Sequence, residues 1–209
     1  YRVVGFLASG SFGTVYEGFY RILEQQRRVA IKTLKAAVTA DAASTARFRE
    51  EVRTLCLLDH PNVCKVIDGG IEEGLMFLVM DFAEGGSLKA KLKQAADGRI
   101  DWRQAVVWLR EAANGLLAAE THHDSQGEEA PIYHRDVKPE NLLLKQGRVV
   151  VADFGAAKLG GDNPDVTSDA IPAVWTPNYG SHEQMSGNVD HRSDIYSLAC
   201  ILYEMLTGK

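Results

Sequence analysis

The stretch His134-Arg135-Asp136-Val137-Lys138-Pro139-Glu140-Asn141, followed by Asp153-Phe154-Gly155, constrains this chain more than any other feature. It puts a candidate base (Asp136), a cation (Lys138) and two oxygen donors suited to a hard metal ion (Asn141, Asp153) into one short segment. Phosphoryl transfer is the chemistry that needs these parts together, because its catalysis is mostly positioning and charge neutralisation. Each piece alone is bland: Asp-Phe-Gly is a common loop tripeptide, and His-Arg-Asp can be a surface turn. The weight of the segment depends on whether the rest of the chain supplies the remaining parts.

Upstream, Leu7-Ala8-Ser9-Gly10-Ser11-Phe12-Gly13-Thr14-Val15 reads as a glycine-bearing hairpin. Glycine lets backbone N–H groups approach phosphate oxygens with no Cβ in the way. Val29-Ala30-Ile31-Lys32 is an apolar strand ending in a charge. An ammonium taken out of water needs a carboxylate partner. The segment from Ala42 to Asp59 offers one, since Phe48, Val52, Leu55 and Leu58 recur at helical spacing with Glu50 and Glu51 beside them. Met76 to Asp81 reads as a buried strand that runs through Phe82-Ala83-Glu84 into Gly85-Gly86-Ser87-Leu88.

These motifs, in this order, resemble the catalytic domain of eukaryotic-type (Hanks-type) protein serine/threonine kinases, bacterial members in particular. The resemblance implies an α+β, two-lobed kinase-like fold: a small antiparallel sheet with one main helix, then a larger, mostly helical lobe. It implies ATP and Mg²⁺ as cofactors. Asp136 takes the place of the catalytic base, Lys138 of the charge-neutralising cation, and Asn141 and Asp153 of the metal ligands. Lys32 takes the place that holds the α- and β-phosphates, paired with Glu51, while Glu50 reads as a solvated surface charge. The nucleotide would lie under Leu7, Ala8, Ser9, Gly10, Ser11, Phe12 and Gly13. Its ring would sit between Val15 and Ala30 above and Leu143 below, with Met80 behind, the backbone of Asp81 and Ala83 on its edge, and Ser87 near the ribose. Lys138-Pro139-Glu140 resembles the serine/threonine branch. His134 and Phe154 would stack internally with Leu55. Three residues depart from the family pattern: Ala8 for the first glycine, His182 for a proline, and Trp175 for a glycine.

Between Asp153 and Glu183 the composition is that of a loop, rich in Gly, Asp, Asn, Pro, Ser and Thr. It resembles an activation segment, with Thr167 and Ser168 as phosphate acceptors, Arg135 as the cation to pair with them, and Thr176 on the substrate side. Asp190 to Leu206 reads as a largely apolar helix; the resemblance makes it the central buried helix and implies that Asp194 bonds backbone N–H groups of the catalytic loop. Asp101 reads as the cap of a helix whose apolar face carries Trp102, Val106, Leu109, Ala113 and Leu116. Glu120 to Pro131 reads as an exposed insertion, because His122 and His123 have no third ligand at useful spacing.

The 209 residues, 45% hydrophobic, suffice for a real core. A net charge of −5 disfavours a nucleic-acid surface. Cys56, Cys64 and Cys200 form no CxxC pair and read as reduced core residues. No apolar run reaches membrane-spanning length. The expected organisation is one kinase domain over 1–209, truncated at both ends, with an N-lobe (1–80), a hinge (81–86) and a partial C-lobe (87–209). The expected partners are protein substrates with Ser or Thr acceptors, the protein itself among them, in the cytoplasm or on a parent anchored outside this stretch. The competing reading is an ATP-binding pseudokinase or scaffold. Such proteins usually lose the lysine, the base or the metal aspartate, and Lys32, Asp136, Asn141 and Asp153 are all present.

Overall fold

The computed structural model describes residues 1–10, 13–34, 42–124, 126–154, 178–185 and 190–209. The chain divides into two compact units, residues 1–59 with 64–83, and residues 60–63 with 84–209.

The first unit is a five-stranded antiparallel sheet in the order β1-β2-β3-β5-β4, with one helix. Its strands are β1 (Arg2–Ser9), β2 (Gly13–Ile22), β3 (Gln25–Leu34), β4 (Val66–Glu72) and β5 (Leu75–Asp81); the helix is α1 (Ala42–Leu57). The β4–β5 turn takes left-handed conformations at Glu73 (φ 51°) and Gly74 (φ 80°), the pair that matches the twist of a tight hairpin. Alternation divides the sheet. Val29, Ile31 and Val79 form a core cluster on one side. The register places Ala8, Val15, Lys32 and Leu78 in one row of paired residues, and Glu17, Ala30 and Met80 in the next row of the same face. The stripe Phe48, Val52, Leu55 and Leu58 is buried, as its helical spacing predicts. Gly69 makes room for this helix. A Cβ there would come 3.0 Å from both Val52 methyls and 3.1 Å from Leu78 Cδ2, so α1 rests closely on β4, on the face that carries Lys32.

The second unit contains α2 (Leu88–Gln94), α3 (Trp102–Glu120), the hairpin β6 (Leu142–Lys145) with β7 (Arg148–Val151), α4 (His182–Met185) and α5 (His191–Thr207). Asp101 caps α3, accepting the Arg103 and Gln104 N–H groups. The buried face of α3 differs from the expected one. Trp102, Val106 and Ala113 are exposed and Leu109 and Leu116 half-buried, whereas Ala105, Ala112, Gly115 and Ala119 are buried. Close approach decides it. A Cβ on Gly115 would lie 2.4 Å from the Asn62 carbonyl oxygen, so the side of the helix with the least side chain faces inward.

The described residues of the Glu120 to Pro131 segment are mostly exposed, as expected, with His122 as the exception. His122 is buried, His123 pairs with Glu129, and Asp124 accepts the Gln126 and Glu128 N–H groups. No cluster of three potential ligands suits a metal there, among the described residues. The cysteines are free, and burial pushes the Cys56 thiol up. Among the described residues no helix is long and apolar enough to cross a membrane.

Candidate functional site

Polar groups in the second unit converge on Asp136. Its carboxylate is almost fully buried and receives the Lys138 ammonium at 2.6 Å on Oδ2. The Asn141 amide donates to the Asp136 carbonyl at 2.8 Å and reaches Oδ2 at 3.4 Å. That leaves Asn141 Oδ1 without a hydrogen bond among the described residues. The Asn141 backbone is itself fixed, donating to Lys138 O and accepting from Ala152 N–H.

His134, wholly buried, organises the loop from beneath. Its Nδ1 accepts the Asp136 N–H at 3.2 Å, and Nε2 lies 2.7 Å from the Ala152 carbonyl. Accepting at one ring nitrogen and donating at the other fits the neutral Nε2–H tautomer. Its ring packs against Phe154 with centroids 4.9 Å apart. Asp194 on α5 accepts the His134 and Arg135 N–H groups, each at 2.9 Å, as expected of the central helix. Burial pushes its carboxyl above the usual range, opposed by these two N–H donors.

Two residues here have left-handed backbones, Arg135 (φ 64°) and Asp153 (φ 70°). Neither is glycine, and the other non-glycine cases among the described residues, Leu23, Glu73 and Gln146, lie in hairpin turns. Such conformations cost about 1–3 kcal/mol each and persist where surrounding contacts over-determine them. Asp194 supplies that restraint at Arg135.

The other expected residues fall as follows. Leu7, Ala8 and Ser9 are exposed at the end of β1, and Ser9 Oγ lies 3.4 Å from Thr14 Oγ1. The Gly10 N–H donates to Gly13 O, closing the turn; Ser11 and Phe12 lie outside the described residues. Val15, Ala30 and Lys32 share one sheet face with Met80, and Lys32 is buried. Glu51 is half-buried with its Oε1 out of water, while Glu50 pairs with Arg53 in solvent. The Asp81 carboxylate takes Arg27, its N–H donates to Lys65 O, and its carbonyl receives the Cys64 thiol at 3.5 Å. Ala83 is half-buried. Ser87 caps α2, its Oγ accepting the Ala90 N–H. Leu143, half-buried, pairs with Ser87 across an isolated bridge. Gly155, Thr167, Ser168, Trp175 and Thr176 lie outside the described residues.

Sequence reasoning gave no role to Gln184, Glu84 or Glu111. Gln184 donates to the Arg135 carbonyl at 2.6 Å, Glu84 accepts the Gln146 N–H, and Glu111 accepts the Val149 N–H. Each acts on backbone far away in sequence, which no local pattern reveals.

A family profile described as "Protein kinase domain" matches residues 1–209. The chain belongs to the protein kinase domain family. Over 195 residues this kinase domain is 36% identical to serine/threonine-protein kinase PknB of Mycolicibacterium smegmatis, covering 90% of this chain and 30% of that one. It is 37% identical to serine/threonine-protein kinase PknL of Mycobacterium bovis, covering 100% of this chain and 49% of that one. The kinase domain thus spans about a third of the length of the first curated relatives it matches. Among solved structures it is similar to the PknI kinase domain of Mycobacterium tuberculosis, with 26% identity and a TM-score of 0.72 over 99% of this chain and 73% of that one. The two-lobed kinase fold and the Hanks-type family are thereby established.

Proposed function

We propose that this domain transfers the γ-phosphoryl group of Mg·ATP to Ser or Thr hydroxyls of proteins. One observation carries the reading: the buried Asp136 carboxylate, bonded by Lys138 and braced by Asn141, on a loop locked by Asp194. A carboxylate so held can accept a hydrogen bond from a hydroxyl and aim its oxygen. Lys138, its ammonium partly exposed, adds positive charge where the transferring group would carry negative charge.

The residues present fit the implied cofactors. Asn141 offers a carboxamide oxygen whose companion NH₂ is already bonded to Asp136, and Asp153 offers a carboxylate; these are the hard oxygen donors magnesium prefers. The Gly10 N–H closes its turn on Gly13 O, and a Cβ on Gly10 would meet no atom of the described residues within 4 Å, which leaves space beside it for a phosphate. Mg·ATP, when bound, supplies the phosphoryl group and neutralises its charge. Lys32, with Glu51 as its partner, would hold the α- and β-phosphates, and Leu7 to Gly13 would cover them. Val15, Ala30, Met80 and Leu143 would bound the adenine, with Asp81 and Ala83 backbone on its edge and Ser87 keeping its hydroxyl proton for the ribose. We assign the on-state to phosphorylation at Thr167 or Ser168.

The test is transfer of labelled γ-phosphate by the intact protein, to itself or to a generic basic protein. Asp136→Ala and Lys32→Met should each lower the rate by about 10²–10³-fold or more. Labelling that survives Asp136→Ala removes the mechanism. In the same assay, phosphatase treatment should slow wild type but not a Thr167→Ala, Ser168→Ala double variant; equal slowing of both withdraws the regulatory assignment.

A further inference from the structure

We infer that Gln184 is a positioning residue for Asp136, acting through the peptide bond that joins Arg135 to Asp136. The inference rests on the kinase reading of Asp136. Its geometry stands apart from that reading.

That peptide bond is held at both of its polar atoms. Its N–H, from Asp136, goes to His134 Nδ1 at 3.2 Å. Its carbonyl, from Arg135, receives Gln184 Nε2 at 2.6 Å. The preceding peptide N–H, from Arg135, goes to Asp194. Rotation of the Arg135–Asp136 peptide plane would swing the Asp136 side chain, and the left-handed Arg135 backbone supplies a reason for it to rotate. Gln184 therefore pins the one atom of this peptide that Asp194 and His134 leave untouched.

Gln184 is in turn well fixed. It is buried, and its Oε1 accepts the Ser181 N–H at 2.8 Å. Ser181, wholly buried, donates from its Oγ to Ser193 Oγ at 3.0 Å, next to Asp194 on α5. Both amide atoms are thus used, the oxygen within its own turn and the nitrogen on a backbone 49 residues away. A cap of its own short helix would need only the oxygen. Placing the NH₂ on Arg135 gives α4, directly after the expected activation segment, a hold on the peptide that carries the reacting carboxylate.

The test compares Gln184→Glu and Gln184→Met in the intact protein. The Glu variant keeps an acceptor for Ser181 and loses the donor to Arg135; the Met variant loses both. Both should retain a cooperative melt, lower kcat by about 10–100-fold, and leave KM for ATP within about twofold, as expected for misplacement of a reacting group on the order of 1 Å. Backbone exchange at Arg135 and Asp136, followed by hydrogen–deuterium mass spectrometry, should quicken in both. Unchanged kcat, a fall only in the Met variant, unchanged loop exchange, or loss of the melt in both variants would each overturn the inference. If wild type itself transfers no phosphate, the kinase reading fails, and exchange alone then decides whether Gln184 holds the loop.

Discussion

Lys32 and Asp136 are both charged and both buried, yet the chain holds them by opposite means. Lys32 sits near the C-terminal end of β3, paired with Val15 on one side and Leu78 on the other. Backbone ladders set its place, and those ladders do not depend on which side chain they carry. Asp136 sits in a loop with no ladder. Its place is set by side chains, namely His134, Asn141, Lys138, Asp194 and Gln184, against a left-handed residue at Arg135. A strand-borne site should therefore survive loss of a neighbouring side chain, and a loop-borne one should not.

Removing Asp194 breaks that comparison most severely. Asp194→Ala strands two backbone N–H groups, those of His134 and Arg135, with no acceptor. The expected loss is about 3–5 kcal/mol in urea denaturation, since each orphaned donor costs about 1–3 kcal/mol. Asp194→Asn keeps one accepting oxygen and should fall between. A loss below about 1 kcal/mol for the Ala variant would show that the loop holds itself.

The strand side is vulnerable only where backbones touch. A Cβ on Gly13 would lie 2.0 Å from the Thr33 carbonyl, in the first residues of the β2–β3 ladder, whereas one on Gly10 would meet nothing among the described residues. Gly13→Ala should thus cost about 2 kcal/mol or more. Gly10→Ala should stay within about 0.5 kcal/mol while raising KM for ATP, because its new methyl would meet no atom of the described residues and would lie where the nucleotide is proposed to bind. Equal destabilisation by the two would mean that both glycines serve the turn and neither the ligand.

The same contrast explains what the sequence disclosed. Phe48, Val52, Leu55 and Leu58 recur at helical spacing and are buried, because hydrophobic periodicity reports a face packed through large side chains. On α3 the same rule misleads. The tight contact at Asn62 selects Gly115 and the alanines, and the large residues Trp102 and Val106 are left outside. His122 was legible as a histidine beside another histidine, but its burial follows from the Ala130 N–H bond to its carbonyl and the His123–Glu129 pairing. In the candidate site, Asp136, Lys138 and Asn141 are close in sequence and so visible as a motif. Asp194 was reachable only through family resemblance. The left-handed Arg135 and Asp153 leave no trace in residue type, since neither is glycine, and Gln184 leaves none because its partner Arg135 is remote in sequence.

A loss smaller than those at Asp194 and Gly13 probes whether the second unit's side-chain bracing extends beyond the loop. Tyr179 is buried, and its hydroxyl donates to Glu204 Oε2 at 2.6 Å, while Glu204 Oε1 takes Lys89 of α2 at 3.0 Å. One carboxylate on α5 thus ties down both α2 and the chain leading into α4. Burial first, then the bond to Glu204, pushes the Tyr179 phenol well above its ordinary value. Tyr179→Phe should lose about 1.5 kcal/mol near neutral pH, because Glu204 keeps its lysine. The sign of the pH dependence follows from the raised phenol. Below the unfolded-state pKa of about 10 both states hold the proton and the full contribution is present. Above it the unfolded chain releases the proton while the folded one retains it, so wild-type stability falls as pH rises and its advantage over the Phe variant narrows. Denaturant titrations of both proteins at neutral pH and across the alkaline range read this directly. A gap that stays constant or widens above about pH 10 would mean that the Tyr179 hydroxyl is not the donor to Glu204.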